Sequence, residues 1–322
     1  MTNCLHLKCK ISLAILMTAL FSLSLISCGG GEKADRNLSE QTINVVTTIG
    51  MITDAVENIG GERVEVNGLM GPGVDPHLYK ASAGDVTRMQ SADVIFYNGL
   101  HLEGAMAELF EKMEKSTLTV AVTAGIAEEQ LLSPLEFTGM HDPHVWFDVT
   151  LWMDAVRQIE KTFAELDPPH ADLYHANAEA YLAHLTKLDA SVREQVKVIP
   201  EDVRVIITAH DAFNYMGRAY GFEVRGLQGI STATEAGTKD VQELANFIVD
   251  RKIPAIFVES SVPRRAVEAL QAAVNAKGFA VEIGGELFSD AMGDPGTPEG
   301  TYHGMVEHNI HTITKALAGT TK

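Results

Sequence analysis

From residue 43 onward, short runs rich in β-branched residues alternate with helix-periodic segments, and this alternation restricts the chain to an α/β protein with mostly parallel sheets. Strands are expected over 43–49, 64–70, 93–97 and 119–122, with helices over 52–59, 83–90 and 103–113 between them. A second series places strands over 203–208, 223–227, 255–258 and 280–283, and helices over 213–220, 238–251, 263–276 and 302–318. The two series share element order without repeating any sequence, so two similar lobes are expected. Their cores are within reach of a chain of 322 residues that is 46% apolar.

Between the series, 149–166 reads as a helix, and Pro168 and Pro169 open a longer one. In it Tyr174, Asn177, Tyr181, Leu185, Leu188, Val192 and Val196 recur at three- and four-residue spacing. Over about 25 residues such a helix runs nearly 40 Å, enough to span two lobes.

The N-terminus reads as an address. Lys8 and Lys10 precede an apolar stretch over 11–27 that closes on Cys28 and three glycines, the pattern of an export signal. A single membrane anchor is the alternative, since roughly 17 apolar residues almost cross a bilayer. Leu25-Ile26-Ser27-Cys28 resembles the bacterial lipobox, in which cleavage before the cysteine frees its thiol for lipid attachment. The expected organisation is a signal peptide over 1–27, a flexible tether over 28–42, a first lobe over 43–167, an interlobe helix over 168–198 and a second lobe over 199–322.

Loss of Lys8 and Lys10 with the signal takes the formal net charge from -18 to -20, and a surface so anionic excludes nucleic acid as a partner. Cys4 and Cys9 leave as well and Cys28 is acylated, so the mature fold has neither a disulfide nor a thiolate for metal. Neither a G-x-G-x-x-G after the first strand nor a G-x-x-x-x-G-K-S/T occurs, so no nucleotide cofactor is signalled.

One tripeptide occurs twice, as Asp75-Pro76-His77 and Asp142-Pro143-His144. Each proline keeps the preceding aspartate extended and fixes the chain just before an imidazole. His210 directly follows a strand, and Asp290 comes shortly after another, where α/β proteins place their ligands. Three neutral imidazoles and a carboxylate suit Zn²⁺ or Mn²⁺, whereas Ca²⁺ or Mg²⁺ would want mostly oxygen. Spacing leaves the set open between metal ligands and packed histidines. His303, His308 and His311, and likewise His170, His175 and His184, read as helix-surface residues. Asp142, Asp211 and Glu259 are available to orient imidazoles, unranked.

On residues 71–77 (GPGVDPH), 141–146 (HDPHVW), 208–210 (TAH) and 288–292 (FSDAM), the chain resembles the TroA/ZnuA-type metal-binding lipoproteins that serve zinc and manganese ABC transporters. The resemblance covers about 44–317. It implies two lobes on one long rigid backbone helix, with His77 and His144 as the ligands of the first lobe and His210 and Asp290 as those of the second. It further implies a monomeric, extracytoplasmic, membrane-anchored receptor that carries Zn²⁺ or Mn²⁺ to an ABC permease and its cytoplasmic ATPase, and no enzyme activity. Manganese members tend to carry glutamate where this chain has His210, and many zinc members carry a His-rich loop that it lacks; it is most similar to the treponemal TroA branch. A secreted zinc hydrolase would need an open coordination position and a general base, and four protein ligands leave no such position. An adhesin role, suggested by the lipid alone, is compatible with transport.

Overall fold

The computed structural model describes residues 38–134 and 139–319. The expected signal peptide, Cys28 and most of the tether lie outside the described residues. The tether's last part is held in place: Leu38–Glu40 forms a single 3₁₀ turn, and the Arg63 guanidinium donates to the carbonyls of Leu38 and Gln41 at 2.5 and 3.0 Å.

In the first half, β1 (Ile43–Thr47), β2 (Val64–Gly68), β3 (Val94–Tyr97) and β4 (Leu118–Ala121) form a parallel sheet in the order β2-β1-β3-β4. Helices α1 (Gly50–Gly60), α2 (Ala83–Ser91) and α3 (Ala107–Met113) connect them. Ser82 starts α2 with a capping box, its hydroxyl accepting from the Asp85 amide while the Asp85 carboxylate accepts from the Ser82 amide.

The second half repeats the plan with β5 (Val205–His210), β6 (Glu223–Gln228), β7 (Ala255–Glu259) and β8 (Glu282–Leu287). Strand β5 pairs with β6 and β7 with β8, all parallel, as two two-stranded sheets, with β5 lying close to β7. Helices α6 (Asn214–Tyr220), α7 (Thr238–Arg251) and α8 (Arg265–Ala276) fill the crossovers. Every residue of β5 is buried, as a central strand covered on both faces requires.

Strand β8 departs from the sequence expectation of 280–283. It runs on through Gly284 and Gly285 because α9 (Tyr302–Ala318) lies directly against it. A Cβ on Gly284 would come within 2.7 Å of the Ala316 methyl, and one on Gly285 within 2.6 Å of Thr312 Cγ2. The glycines mark close approach of a helix, not the end of a strand.

Helices α4 (Val149–Leu166) and α5 (Ala171–Val196) join the halves. At 26 residues α5 is about 39 Å long. Its first half is tied to α1, where Asn177 donates to the Ile59 carbonyl at 2.9 Å and the Tyr181 hydroxyl to Asp54 at 2.6 Å. Its second half is tied to α9, through Ser191 and Gln195 on Glu307 at 2.9 and 3.0 Å. The helix does not bridge alone, since α4 packs along it and Trp152 of α4 stacks on Tyr302 of α9. One hydrophobic core runs from Ile43 and Phe96 through Phe163, Tyr174 and Leu185 to Phe213, Phe257 and Ile313, and a second, smaller one lies between strands β5 and β7 and helices α7 and α8. Parts that share a core resist independent swinging, because parting them re-exposes apolar side chains worth about 1.5–3 kcal/mol each.

Candidate metal centre

Two of the four candidate residues stand where strands end and two in loops. His77 lies in the stretch between β2 and α2, which has neither helix nor strand, and His144 just before α4. His210 is the last residue of β5, and Asp290 follows the end of β8. The repeated tripeptide is a turn device: Asp75 Oδ1 accepts the backbone N–H of His77 at 2.9 Å, and Asp142 Oδ1 that of His144 at 3.0 Å. An aspartate capping the residue two positions on, with proline fixing φ between them, sets the imidazole before tertiary contacts form.

Topology then gathers the four side chains. The Nε2 atoms of His77, His144 and His210 lie 3.6, 3.4 and 3.3 Å from Asp290, the first and third facing Oδ2 and the second facing Oδ1. One ligand atom from each residue can be chosen so that all lie within 4.8 Å of one another. His144 and His210 are completely buried, Asp290 is 1% exposed and His77 7% exposed. The three Nε2 atoms and both carboxylate oxygens have no hydrogen-bond partner. Five such atoms converging on one point is a costly arrangement, since buried polar atoms are nearly always paired. Four donors about 2.1 Å from a shared centre stand about 3.4 Å apart, which is the separation of the imidazoles from the carboxylate.

Carboxylates behind the imidazoles fix which nitrogen faces inward. His144 Nδ1 is hydrogen-bonded to Asp142 Oδ1 at 2.7 Å, and His210 Nδ1 is 2.6 Å from Glu259 Oε2, while Glu259 Oε1 accepts the His210 backbone N–H at 2.9 Å. A proton held on Nδ1 leaves the Nε2 lone pair free for an ion. Asp211, the third carboxylate available from sequence, turns away and accepts from the Gly226 amide. Sequence reasoning missed several residues that support the site. Asn214 donates to Asp142 at 3.0 Å, the Tyr215 hydroxyl to the Asp142 carbonyl at 3.0 Å, and Trp146 Nε1 to the Ser289 carbonyl at 3.1 Å. None has a local signal, because each meets a partner far away in sequence.

The charges inside the cluster are unevenly held. Burial alone would strip His210 of its proton, but Glu259 and Asp290 outweigh it and raise its pKa well above 6.5. Burial depresses His77 to about 3, only partly opposed by Asp290. Burial favours a neutral Asp290, yet His210, His144 and His77 hold its carboxyl well below the usual range. An ion entering at neutral pH therefore displaces a proton from His210 and none from His77. Affinity rises with pH through neutrality and above, where the sequence alone predicts a change only near 6.5. The association constant is expected to rise with pH, because the ion competes with the proton that Glu259 and Asp290 hold on His210. Titration calorimetry in buffers of differing ionisation heat checks this, and an affinity flat from pH 8 to pH 5 would contradict it.

The other histidines do not join the centre. His308 Nε2 lies 3.0 Å from the Glu286 carbonyl, and His170 pairs with Asp167 at 2.9 Å. Among the described residues, the four-residue cluster is the one group able to hold a metal ion.

A buried set of imidazole and carboxylate donors, gathered from the loops and strand ends of a two-lobed α/β protein, is the site of a metal-binding receptor of the solute-binding class. The family model for the zinc-uptake complex component A, periplasmic (ZnuA), matches residues 45–316, and the chain belongs to that family. It is 58% identical over 274 residues to the zinc-binding protein TroA of Treponema pallidum, covering 85% of this chain and 88% of that protein. It is 47% identical over 302 residues to the manganese-binding lipoprotein MntA of Bacillus subtilis, covering 94% and 98% of the two chains. The solved structure of periplasmic zinc-binding protein TroA from Treponema pallidum superposes with a TM-score of 0.84 at 57% identity, over 86% of this chain and 99% of that one. Members are extracytoplasmic transport components, not enzymes, and membership implies a membrane transporter as partner.

Proposed function

We propose that this protein captures one divalent transition-metal ion, zinc or manganese, through His77, His144 and His210 Nε2 and the Asp290 carboxylate, and delivers it to an ABC permease energised by a cytoplasmic ATPase. The observation that carries this reading is the convergence of five buried, unpartnered donor atoms on one point. Three nitrogens with both carboxylate oxygens serve four-coordinate Zn²⁺ when one oxygen binds and higher-coordinate Mn²⁺ when both do. The relatives' names point the same way, one to zinc and one to manganese.

In this reading the first lobe spans 43–167, the second 199–322, and 168–198 is the helix between them. Acylation of Cys28 anchors the protein to a membrane on the extracytoplasmic side, where it serves its permease. The lipobox-like Leu25-Ile26-Ser27-Cys28 and the lipoprotein name of the Bacillus relative support the anchor.

The test is titration of metal-free protein, expressed from residue 29 onward, with Zn²⁺ and Mn²⁺, with stoichiometry checked by elemental analysis. One ion per chain is expected, with a dissociation constant in the nanomolar range or below. Absence of stoichiometric binding of either ion would overturn the proposal.

A further inference from the structure

The four side chains are not held alike. Residues 142–148 precede the second lobe in the chain but are fastened to it: Asp142 by Asn214 and Tyr215, Trp146 by Ser289 and by the Tyr302 hydroxyl at 2.7 Å, and Asp148 by Arg218 at 3.3 Å. Phe147 also packs on Phe213 with ring centroids 4.3 Å apart. Asn98 of the first half also donates to the Pro143 carbonyl at 3.0 Å, so His144 is tied on both sides and shares one hydrogen-bonded body with His210 and Asp290.

His77 is attached differently. Its stretch carries no helix or strand, and its sequence neighbour Leu78 is 54% exposed. Tyr79 ties the stretch back to the first lobe, donating to Asp85 at 2.8 Å. Among the described residues, one hydrogen bond links residues 71–78 to the second lobe, from the Thr232 hydroxyl to Asp75 Oδ2 at 2.5 Å. The other oxygen of Asp75 caps the His77 amide, so the bond from Thr232 passes through one carboxylate to the backbone of the ligand.

We infer that Thr232 is a positioning residue for the metal: by holding Asp75 it keeps His77 in the cluster, so that His77 joins a preformed three-residue set last and leaves it first. This rests on the proposed metal site. It divides the ligands three to one, where the sequence divides them two to two by lobe. Release then requires the loss of one hydrogen bond and the displacement of one stretch of chain, with the shared core left intact.

Thr232→Val removes the hydroxyl and keeps the shape, and Thr232→Ser keeps the hydroxyl. Zinc-loaded proteins are mixed with excess chelator and the rate of metal loss is followed. The expected result is about tenfold faster loss for Thr232→Val, the effect of deleting a hydrogen bond to a charged acceptor, and a rate near wild type for Thr232→Ser. Metal-free Thr232→Val should melt in a single transition within several degrees of wild type, so that faster zinc loss is not the result of unfolding. Equal rates for wild type and Thr232→Val, or no recovery with serine, would overturn the inference while leaving the metal site standing. Wild-type protein that takes up no zinc would overturn the site itself. Hydrogen exchange on wild type gives a check that needs no variant: zinc should protect the amides of 71–78 far more than those of 142–148. Equal protection would also overturn the inference.

Discussion

His210→Ala is expected to weaken zinc binding by at least about 100-fold, while Glu259→Gln costs about tenfold. Loss of an orienting partner alone typically costs 10–100-fold in metal affinity, and loss of a ligand costs more. The two variants separate what His210 does directly from what its carboxylate adds. Alanine removes a donor atom 3.3 Å from Asp290 and leaves Glu259 buried behind a void. Glutamine can still accept from Nδ1 but pulls less charge toward the ring. The pH dependence should change in parallel: with glutamine at 259 the His210 proton is held less tightly, so the rise of affinity with pH ends at a lower pH. Competition against a zinc indicator over pH 5 to 9 measures both effects. A His210→Ala protein that binds within threefold of wild type would show that the imidazole is not a ligand.

Removing the metal should lower the melting temperature by on the order of 10 °C. An ion present at about 1,000 times its dissociation constant and bound only by the folded chain adds about 4 kcal/mol, and each kcal/mol moves the midpoint of a chain this size by about 2–4 °C. Chelator takes that stabilisation away and leaves five buried donors unpaired. The transition should remain single in both states, because one core spans both halves and the helices between them. Differential scanning calorimetry with and without chelator checks both points, and His77→Ala/His210→Ala serves as a control whose midpoint should barely respond to zinc. Two separated transitions would show that the lobes unfold independently.

Much of this could be read from the chain because its causes are local. Helices Val149–Leu166, Thr238–Arg251 and Tyr302–Ala318 run over the residues their periodicity indicates, since apolar spacing and end signals lie within a few positions of one another. The long helix was visible in the recurrence of Tyr174, Tyr181, Leu185, Leu188 and Val192, all of which are buried. Strand β8 was misread at Gly284 and Gly285, because a glycine looks the same in sequence whether it ends a strand or makes room for Ala316 and Thr312 of a helix.

The sequence by itself determined the alternating α/β plan and the Asp-Pro-His turns that present two imidazoles, because strand, helix and turn chemistry act over a few residues; that His77, His144, His210 and Asp290 form one set was legible only through the family resemblance. Only the tertiary structure decided that Glu259 rather than Asp211 stands behind His210, that His144 is fastened to the second lobe, and that Thr232 holds Asp75. Those pairs are 49, 72 and 157 residues apart, as Glu259 with His210, Asn214 with Asp142 and Thr232 with Asp75. Contacts at such range are set by the order in which parallel strands are laid side by side, and no local pattern in the chain records it.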